Sequence, residues 1–416
     1  MKQVKVGVIG LGQRGMGLTG TMLACSEADI VAVCDCIEER MKEASDKIKE
    51  SRGHEAVQYK DYHELLNDEN VEVVVICSSW EEHIRMAIES MKVGKITAME
   101  VGGAYDIEEC WELVRTYEET KTPIMMLENC CFDKFELLST SIARAGLLGE
   151  VVHLHGAYSH DLRFELLYNN YNYRLGNYVK RNCENYPTHE LGPIAKLIDI
   201  NRGNRMVSLV SVASKAAGLE TYANTEKDGK TPFAGLRAKQ GDIVTTIITC
   251  ANGESVTLTL DTTLPKHYSR EFTVRGTKGY CMQETNMVLI EDKDSLHDYA
   301  EPHLTVKKYL SNGDEYADYL PDIWRNITEE EMQLGHGGMD FMMFKAFFKA
   351  VLNGDEMPVD VYDAAAWMCV SVLSEQSVAL GGAPVAFPDF TRGKWLTRKR
   401  LDVVEFPEVK KEEKSE

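Results

Sequence analysis

The run Asn185-Tyr186-Pro187-Thr188-His189-Glu190-Leu191-Gly192-Pro193 sets a phenol and an imidazole three residues apart at the entrance to a helix. Facing one pocket, such a pair can supply a donor and an acid/base near neutral pH once burial and neighbours tune it. Pro187 holds Tyr186 in an extended segment, and Thr188 is placed to cap a helix that begins near His189. A capping turn around a buried histidine is the plainer reading of the same residues. A second cluster, Pro265-Lys266-His267-Tyr268-Ser269-Arg270, lies between two strand-like runs. Aromatic and basic groups in a connection suit a sugar-binding rim, where the ring stacks and the charge hydrogen-bonds; a solvated loop is the alternative. A third, Gly335-His336-Gly337-Gly338-Met339-Asp340, brings backbone close to some partner at a helix start, or serves only as a hinge with Asp340 in a favourable first turn.

These clusters need a frame, and the frame begins at Val4. The apolar run Val4 to Ile9 reads as a buried parallel strand that ends in Gly10-Leu11-Gly12-Gln13-Arg14-Gly15 and passes into a helix over Met16 to Ser26. Gly10 suits a tight turn, Gly12 close approach to a pyrophosphate, and Gly15 close helix-to-strand packing. Gln13 and Arg14 share that loop. A second strand stops at Asp35, about 20 residues beyond Gly15, where an acid would accept hydrogen bonds from an adenosine ribose and repel a 2'-phosphate. The motif therefore predicts NAD rather than NADP. Strands and helices then alternate to Leu127, which predicts a doubly wound parallel sheet of Rossmann type. Ligands of such sheets sit at the carboxyl ends of the strands, so Trp80, His83, Glu100, Val101 and Asn129 should border one crevice.

Past Asn129 the pattern changes. A helix over Phe135 to Ala145 leads to a strand over Glu150 to Tyr158, then to an irregular stretch from Ser159 to Asn185 and a helix over Leu191 to Asn201. Ile243 to Cys250 and Ser255 to Asp261 flank Asn252-Gly253 as a hairpin, and Glu271 to Val274 and Met287 to Glu291 read as further strands. Two late helices, Met339 to Leu352 and Val361 to Ser377, should pack back on this second unit. The expectation is α/β: an NAD-binding Rossmann domain over 1–128, an α+β substrate domain with an open, mostly antiparallel sheet over 129–402, and a charged tail over 403–416 whose end, Lys410 to Glu416, is solvated and frayed. The net charge of -20 over 416 residues argues against nucleic acid and anionic membranes as partners. With no basic-then-apolar leader, no long apolar run, and eleven cysteines without framework or metal-ligand spacing, a cytoplasmic chain with free thiols and no metal site is expected, working as a homo-oligomer.

The assembled motifs resemble the Gfo/Idh/MocA oxidoreductase superfamily along nearly the whole chain, and within it glycoside hydrolase family 109, the NAD-dependent α-N-acetylgalactosaminidases. The resemblance rests on Trp80-Glu81-Glu82-His83, Glu100-Val101, Met126-Leu127-Glu128-Asn129, His160-Asp161-Leu162-Arg163, Tyr186-Pro187-Thr188-His189, Tyr268-Ser269-Arg270 and the Gly335 to Asp340 run. It implies a bound, recycled NAD, oxidation of a sugar at C3, loss of the C2 proton and the aglycone, water addition at C1 and re-reduction. It further implies that Trp80, His83, Glu100, Val101 and Asn129 line the cofactor, that Arg174, Tyr186, His189 and Tyr268 hold the sugar, and that His189 and Tyr186 do the acid/base work. Two departures stand out. Glu100-Val101-Gly102 replaces the Glu-Lys-Pro of ordinary dehydrogenases in the superfamily, and Phe132 stands where many of the glycosidases carry tyrosine. A net sugar or cyclitol dehydrogenase, and a non-catalytic NAD- or sugar-binding protein, are the alternatives.

Overall fold

The structure, a computed structural model, describes residues 3–169, 172–225, 232–291 and 307–408. The expected frayed end of the tail lies outside the described residues. Val4–Ile9 (β1) is buried at all but Lys5, as a strand covered on both faces must be. With Ala28–Cys34 (β2), Val57–Tyr59 (β3), Val73–Ile76 (β4), Ile96–Met99 (β5) and Ile124–Met126 (β6) it forms a sheet of order β3-β2-β1-β4-β5-β6, parallel throughout. The helices Gln13–Ala24, Glu38–Arg52, Trp80–Lys92 and Ile107–Thr120 make crossovers. The strand order reverses at β1, which places the ligand crevice at the carboxyl ends of β1 and β4.

Eight strands build the second sheet: Val151–Ser159 (β7), Met206–Ala213 (β8), Ile243–Cys250 (β9), Ser255–Asp261 (β10), Thr273–Gly276 (β11), Gly279–Met282 (β12), Met287–Ile290 (β13) and Val385–Ala386 (β14). Their order is β13-β12-β11-β7-β10-β9-β8-β14. Neighbours run antiparallel except β7 and β10, which are parallel. One register row, Leu209, Ile248, Val256, Leu154, Val274, Cys281 and Val288, is fully buried across seven strands. The adjacent row, Val210, Ile247, Thr257 and His155, faces the other way and stays partly or fully exposed. This alternation gives the sheet one covered and one open face.

Several expectations need correction. The stretch from Ser159 to Asn185 contains the short helices Arg163–Tyr168 and Leu175–Lys180, whose polar tyrosines and asparagines hide the helical period. The site helix runs Thr188–Leu197, so Thr188 is its first helical residue, and Pro187 at the cap position offers no side-chain hydrogen bond. Proline tolerates a helix start because its missing N–H is not needed there. β8, β12 and β14 were not anticipated. The last long helix is two, Val361–Met368 and Val370–Ala379, and only the second packs on the antiparallel sheet, against β8. The first packs on the crossover helix Ile107–Thr120, and Met339–Asn353 packs on Gln13–Ala24 and on the turn Asn129–Phe132. These helices tie the two sheets together.

The site helix lies on β7 at Gly156, where an added Cβ would sit 2.6 Å from the Glu190 carbonyl oxygen and 3.1 Å from Ile194 Cδ1. Gly156→Ala therefore has to push the helix off the strand. We expect a loss of about 1–3 kcal/mol in urea unfolding, with the loss of any activity that depends on His189 exceeding what the unfolded fraction accounts for.

Candidate active site

The carboxyl ends of β1, β2, β4 and β5 open onto a cleft of about 710 Å³. Of the residues expected to bind cofactor, Gly10, Gly12, Gln13, Arg14, Asp35, Trp80, His83, Glu100 and Val101 line it. Gly15 and Asn129 do not. Gly10 turns with φ of 87°, and a Cβ on Gly15 would lie 1.9 Å from the Gly10 carbonyl oxygen, so Gly15 is spent on seating the helix beneath the loop. Gly12 differs, because an added Cβ would meet nothing within 4 Å. Its openness leaves room for a ligand against bare backbone. The helix Gln13–Ala24 starts there with no side-chain cap and no acid in its first turn, which leaves its N-terminal amides to an anion such as a pyrophosphate. Asp35 lines the cleft and also accepts from the amides of Leu11, at 2.7 Å, and Ile37, at 2.9 Å, pinning the glycine loop to the end of β2. These features fit a dinucleotide.

Arg14 does more than line the wall. Its fork meets Asp340, with Nη1 at 2.6 Å from Oδ2 and Nη2 at 2.9 Å from Oδ1, while Nε lies 3.1 Å from Glu100 Oε1. Asn129 Nδ2 donates to Asp340 Oδ1 at 2.8 Å. The third sequence cluster is thus more than a hinge, for Asp340 reaches the cofactor wall. Burial opposes the charge of Arg14, but Glu100 and Asp340 together hold its pKa well above the ordinary value. His83 places Nε2 2.8 Å from the Ser78 carbonyl oxygen, and burial holds its imidazole below the usual range, so it stands neutral with the proton on Nε2.

Tyr186, His189 and Tyr268 are not among the cleft's lining residues; Arg174 is. Aromatic contacts nevertheless join all four. The Arg174 guanidinium lies 4.2 Å from the Trp80 ring centre, and Trp80 stacks on Tyr186 at 5.0 Å. Tyr186 touches Tyr158 at 4.4 Å, Tyr158 touches His160 at 4.8 Å, and His160 meets Tyr268 edge-on at 5.3 Å. The Tyr268 hydroxyl accepts from Arg270 Nη1 at 3.0 Å, and Arg270 is anchored by the buried Glu136.

The acid/base geometry has a third member. His189 Nδ1 lies 2.7 Å from Glu128 Oε1, and Nε2 lies 3.4 Å from the Tyr186 hydroxyl. A carboxylate on Nδ1 fixes the tautomer and leaves Nε2 as the lone pair facing Tyr186. Burial pushes Glu128 up, but His189 outweighs it and the carboxyl stays below its ordinary range. Burial and the Tyr158 phenol push the Tyr186 hydroxyl well up, so it is a neutral donor. Glu128, Cys130 and His189 bring donor atoms within 4.8 Å of one another. Burial holds the Cys130 thiol protonated and Glu128 Oε1 also accepts the Cys130 amide, so this is a hydrogen-bonded cluster rather than a ready ligand set.

Sequence reasoning gave no role to Glu128, Tyr158, His160 or Tyr173. Glu128 follows β6 directly, and the strand-end rule that selected Asn129 could have selected it. Tyr158 and His160 carry no such signal, since only the packing of β7 on the site helix brings them in. Phe132 is fully buried and does not line the cleft, and its carbonyl accepts from Trp324 Nε1 at 2.9 Å.

Fold and cleft define an oxidoreductase-type protein with a nicotinamide dinucleotide site, and residues 4–127 match the family profile described as "Oxidoreductase family, NAD-binding Rossmann fold". Residues 132–397 match "Glycosyl hydrolase 109, C-terminal domain", and the chain belongs to glycosyl hydrolase family 109. An α-N-acetylgalactosaminidase of Tannerella forsythia is 36% identical over 421 residues, covering 95% of this chain and 88% of the relative. A glycosyl hydrolase family 109 protein of Shewanella baltica is 36% identical over 412 residues, covering 97% and 88%. Among solved structures, levoglucosan dehydrogenase with NADH and levoglucosan aligns with a TM-score of 0.68 at 16% identity, over 93% of this chain and 100% of that one. The myo-inositol 2-dehydrogenase of Lactobacillus plantarum aligns at 0.65 with 15% identity, over 93% and 100%. At such identities the solved structures speak for the fold alone.

The depressed Glu128 carboxyl makes a pH-dependent contribution to stability. A carboxyl whose folded pKa lies below its unfolded value stabilises above the unfolded pKa, about 4.3, and loses that contribution as pH falls. Glu128→Gln should cost about 1–3 kcal/mol at pH 7, and the gap to wild type should narrow in urea titrations near pH 3. A gap of equal size at both pH values would remove the charge from the explanation.

Proposed function

We propose that this protein hydrolyses N-acetylgalactosaminides or related glycosides by a redox-neutral cycle: oxidation at C3, elimination across C1 and C2, water addition at C1 and re-reduction at C3. The observation that carries this reading is the Glu128–His189–Tyr186 relay, set against the cofactor wall through the Trp80–Tyr186 stack. NAD, when bound, supplies the reversible oxidation at C3. Trp80, His83, Glu100 and Val101 would hold it along the crevice, with Gly10, Gly12, Gln13, Asp35 and the helix amides on the diphosphate and ribose; Gly15, Arg14 and Asn129 shape that wall. Arg174 and Tyr268 would hold sugar hydroxyls, together with Tyr186 and His189.

Oxidation at C3 makes the C2 proton acidic, and a base near neutrality then suffices to remove it. His189 Nε2, oriented by Glu128, would take that proton, and the neutral Tyr186 hydroxyl can donate to an oxygen that gains charge. We assign the proton transfers to the pair. A net dehydrogenase of this superfamily would use a lysine where Val101 stands, and a valine moves no proton. Eleven free cysteines support a reducing, cytoplasmic setting, and no helix among the described residues is long and apolar enough to cross a membrane. The open face of the second sheet, with Val212 and Ile247 exposed, supports self-association.

Purified protein without added cofactor, incubated with aryl N-acetyl-α-galactosaminide in deuterated water, should release aglycone and leave deuterium at C2 of the sugar with no accumulating NADH. His189→Ala should lower kcat by about 100-fold or more while retaining bound NAD. Release of NADH in proportion to a free sugar or cyclitol, with no aglycone release, would overturn the reading in favour of a dehydrogenase.

A further inference from the structure

Asp340 is the first-turn acid of Met339–Asn353, a helix more than 200 residues along the chain from the last strand of the parallel sheet. Its side chain is 2% exposed. Arg14 from the first turn of the helix after β1 and Asn129 from the turn after β6 both bond to this one carboxylate, and Arg14 extends the contact to Glu100 from the turn after β5. Three separate strand-end segments of the cofactor crevice are thereby tied to a helix that belongs to neither sheet. The approach is unusual in its backbone as well. Gly335, His336, Gly337 and Gly338 all take positive φ, at 70°, 46°, 68° and 94°. His336 is the costly member, since a non-glycine residue is disfavoured there, and a Cβ on Gly335 would lie 2.4 Å from Asp340 Oδ2. The turn folds around that carboxylate, and His336 Nδ1 lies 2.9 Å from it.

An arginine in the first turn of the dinucleotide helix would ordinarily be read as a phosphate ligand. Here its fork is occupied by Asp340 and Glu100. Its positive charge is matched by carboxylates rather than left for a ligand, and the bidentate geometry fixes both partners in place. Removing the Asp340 charge would leave the fork held by Glu100 alone and weaken the Asn129 contact at the same time. The wall would then loosen at the turns after β1, β5 and β6 together.

We propose that Asp340 is a positioning residue that clasps the three strand-end turns around the dinucleotide and slows its release, so that NAD remains bound through both redox half-reactions. The inference rests on the NAD reading of the cleft, and it adds a residue that holds the wall without lining it. A redox-neutral cycle requires the reduced cofactor to stay until C3 is reduced again, whereas a net dehydrogenase must exchange it every turnover.

The test uses the full chain loaded with radiolabelled NAD and chased with a large excess of unlabelled NAD, comparing wild type, Asp340→Asn, His336→Ala and Lys345→Met. Lys345, on the same helix as Asp340, forms an ion pair with Glu27 in the turn just past Gln13–Ala24 and serves as the control for general helix docking. Asp340→Asn should release label about tenfold faster or more, and its turnover should come to depend on added NAD while kcat at saturating NAD stays within about threefold of wild type. His336→Ala, whose side chain is half exposed, should shift release in the same direction by a smaller factor; it decides the matter alone if Asp340→Asn does not fold. Lys345→Met should release at the wild-type rate even if its Tm falls. Unchanged or slower release from both clasp variants overturns the proposal, and so does equal acceleration by Lys345→Met. Net NADH release by wild type would sink the glycosidase reading and leave the release ratio to judge the clasp. Failure of wild type to bind NAD would take both down.

Discussion

The hydrogen bond from His189 Nδ1 to Glu128 Oε1 is made between parts of the chain that share no strand. Glu128 follows the last strand of the parallel sheet, and His189 opens a helix laid on the first strand of the other. A carboxylate that is fully buried is costly unless it is paired and hydrogen-bonded. Glu128 meets both conditions through Oε1, which takes the His189 imidazole and the Cys130 amide. Satisfying Glu128 therefore requires the two sheets to dock in one register, and that register sets the Tyr186 hydroxyl beside His189 Nε2 and the Trp80 ring against Tyr186. The same contact that relieves a buried charge sets His189 and Tyr186 side by side.

The neighbouring acids follow the opposite rule. Glu184 and Glu190 flank the Tyr186 to His189 segment, both are buried, and burial pushes both carboxyls up, with Glu184 at about 8 and Glu190 raised further by Glu184. Glu190 Oε2 accepts the Thr259 amide on β10 at 3.1 Å, so its work is to tie the helix to the sheet. Glu128 is thus kept charged by a histidine, while burial holds Glu184 and Glu190 toward the neutral form. His160 behaves similarly: burial, Arg174 and His189 hold it down at about 4, so it joins the aromatic row as a neutral ring. Among the charged groups round Tyr186, Arg174 favours its ionisation while Glu100 and Glu128 oppose it. Ring contacts of this kind are worth roughly 0.5–1.5 kcal/mol each beyond their burial, enough in series to make a firm wall.

Much of this could be read in the sequence because local chemistry carried it. Val4 to Asp35 has one sensible fold: alternating β-branched residues, three glycines with distinct steric duties and an acid at the end of the second strand. The hairpin over Ile243 to Asp261 was equally plain, with Gly253 at φ of 101° in its turn. What could not be read depends on contacts between distant segments. The row from Tyr158 through His160 to Tyr268 exists because the end of β7 meets the segment leading into β11, with Ser159 bridging Ser269, and a local pattern cannot announce a partner about 100 residues away. The short helices after Ser159 were missed for a related reason: their stability comes from packing against the rest of the molecule, and helices of one or two turns have little of their own. Asp340 was noticed as a first-turn acid, the local half of its role. Arg14, Glu100 and Asn129 supply the other half from elements that the sequence gives no reason to connect with it.

The structural neighbours are sugar dehydrogenases, and at 15–16% identity they share the frame without fixing the chemistry. What separates the two outcomes on one frame is where protons go and how long the cofactor stays. A dehydrogenase needs one proton removed from a hydroxyl as that carbon is oxidised, and afterwards an open path for the reduced cofactor. A cycle that eliminates and rehydrates needs a base at the neighbouring carbon, an acid near the departing oxygen, a dry interval between, and a cofactor that does not leave. Val101 offers no proton transfer at the strand end, whereas the relay through Glu128, His189 and Tyr186 sits one aromatic layer further out from the cleft. The Arg14–Asp340 contact ties the crevice shut from a helix outside both sheets. On physical grounds the frame has been turned from cofactor exchange toward cofactor retention, and the family membership and the site chemistry point the same way.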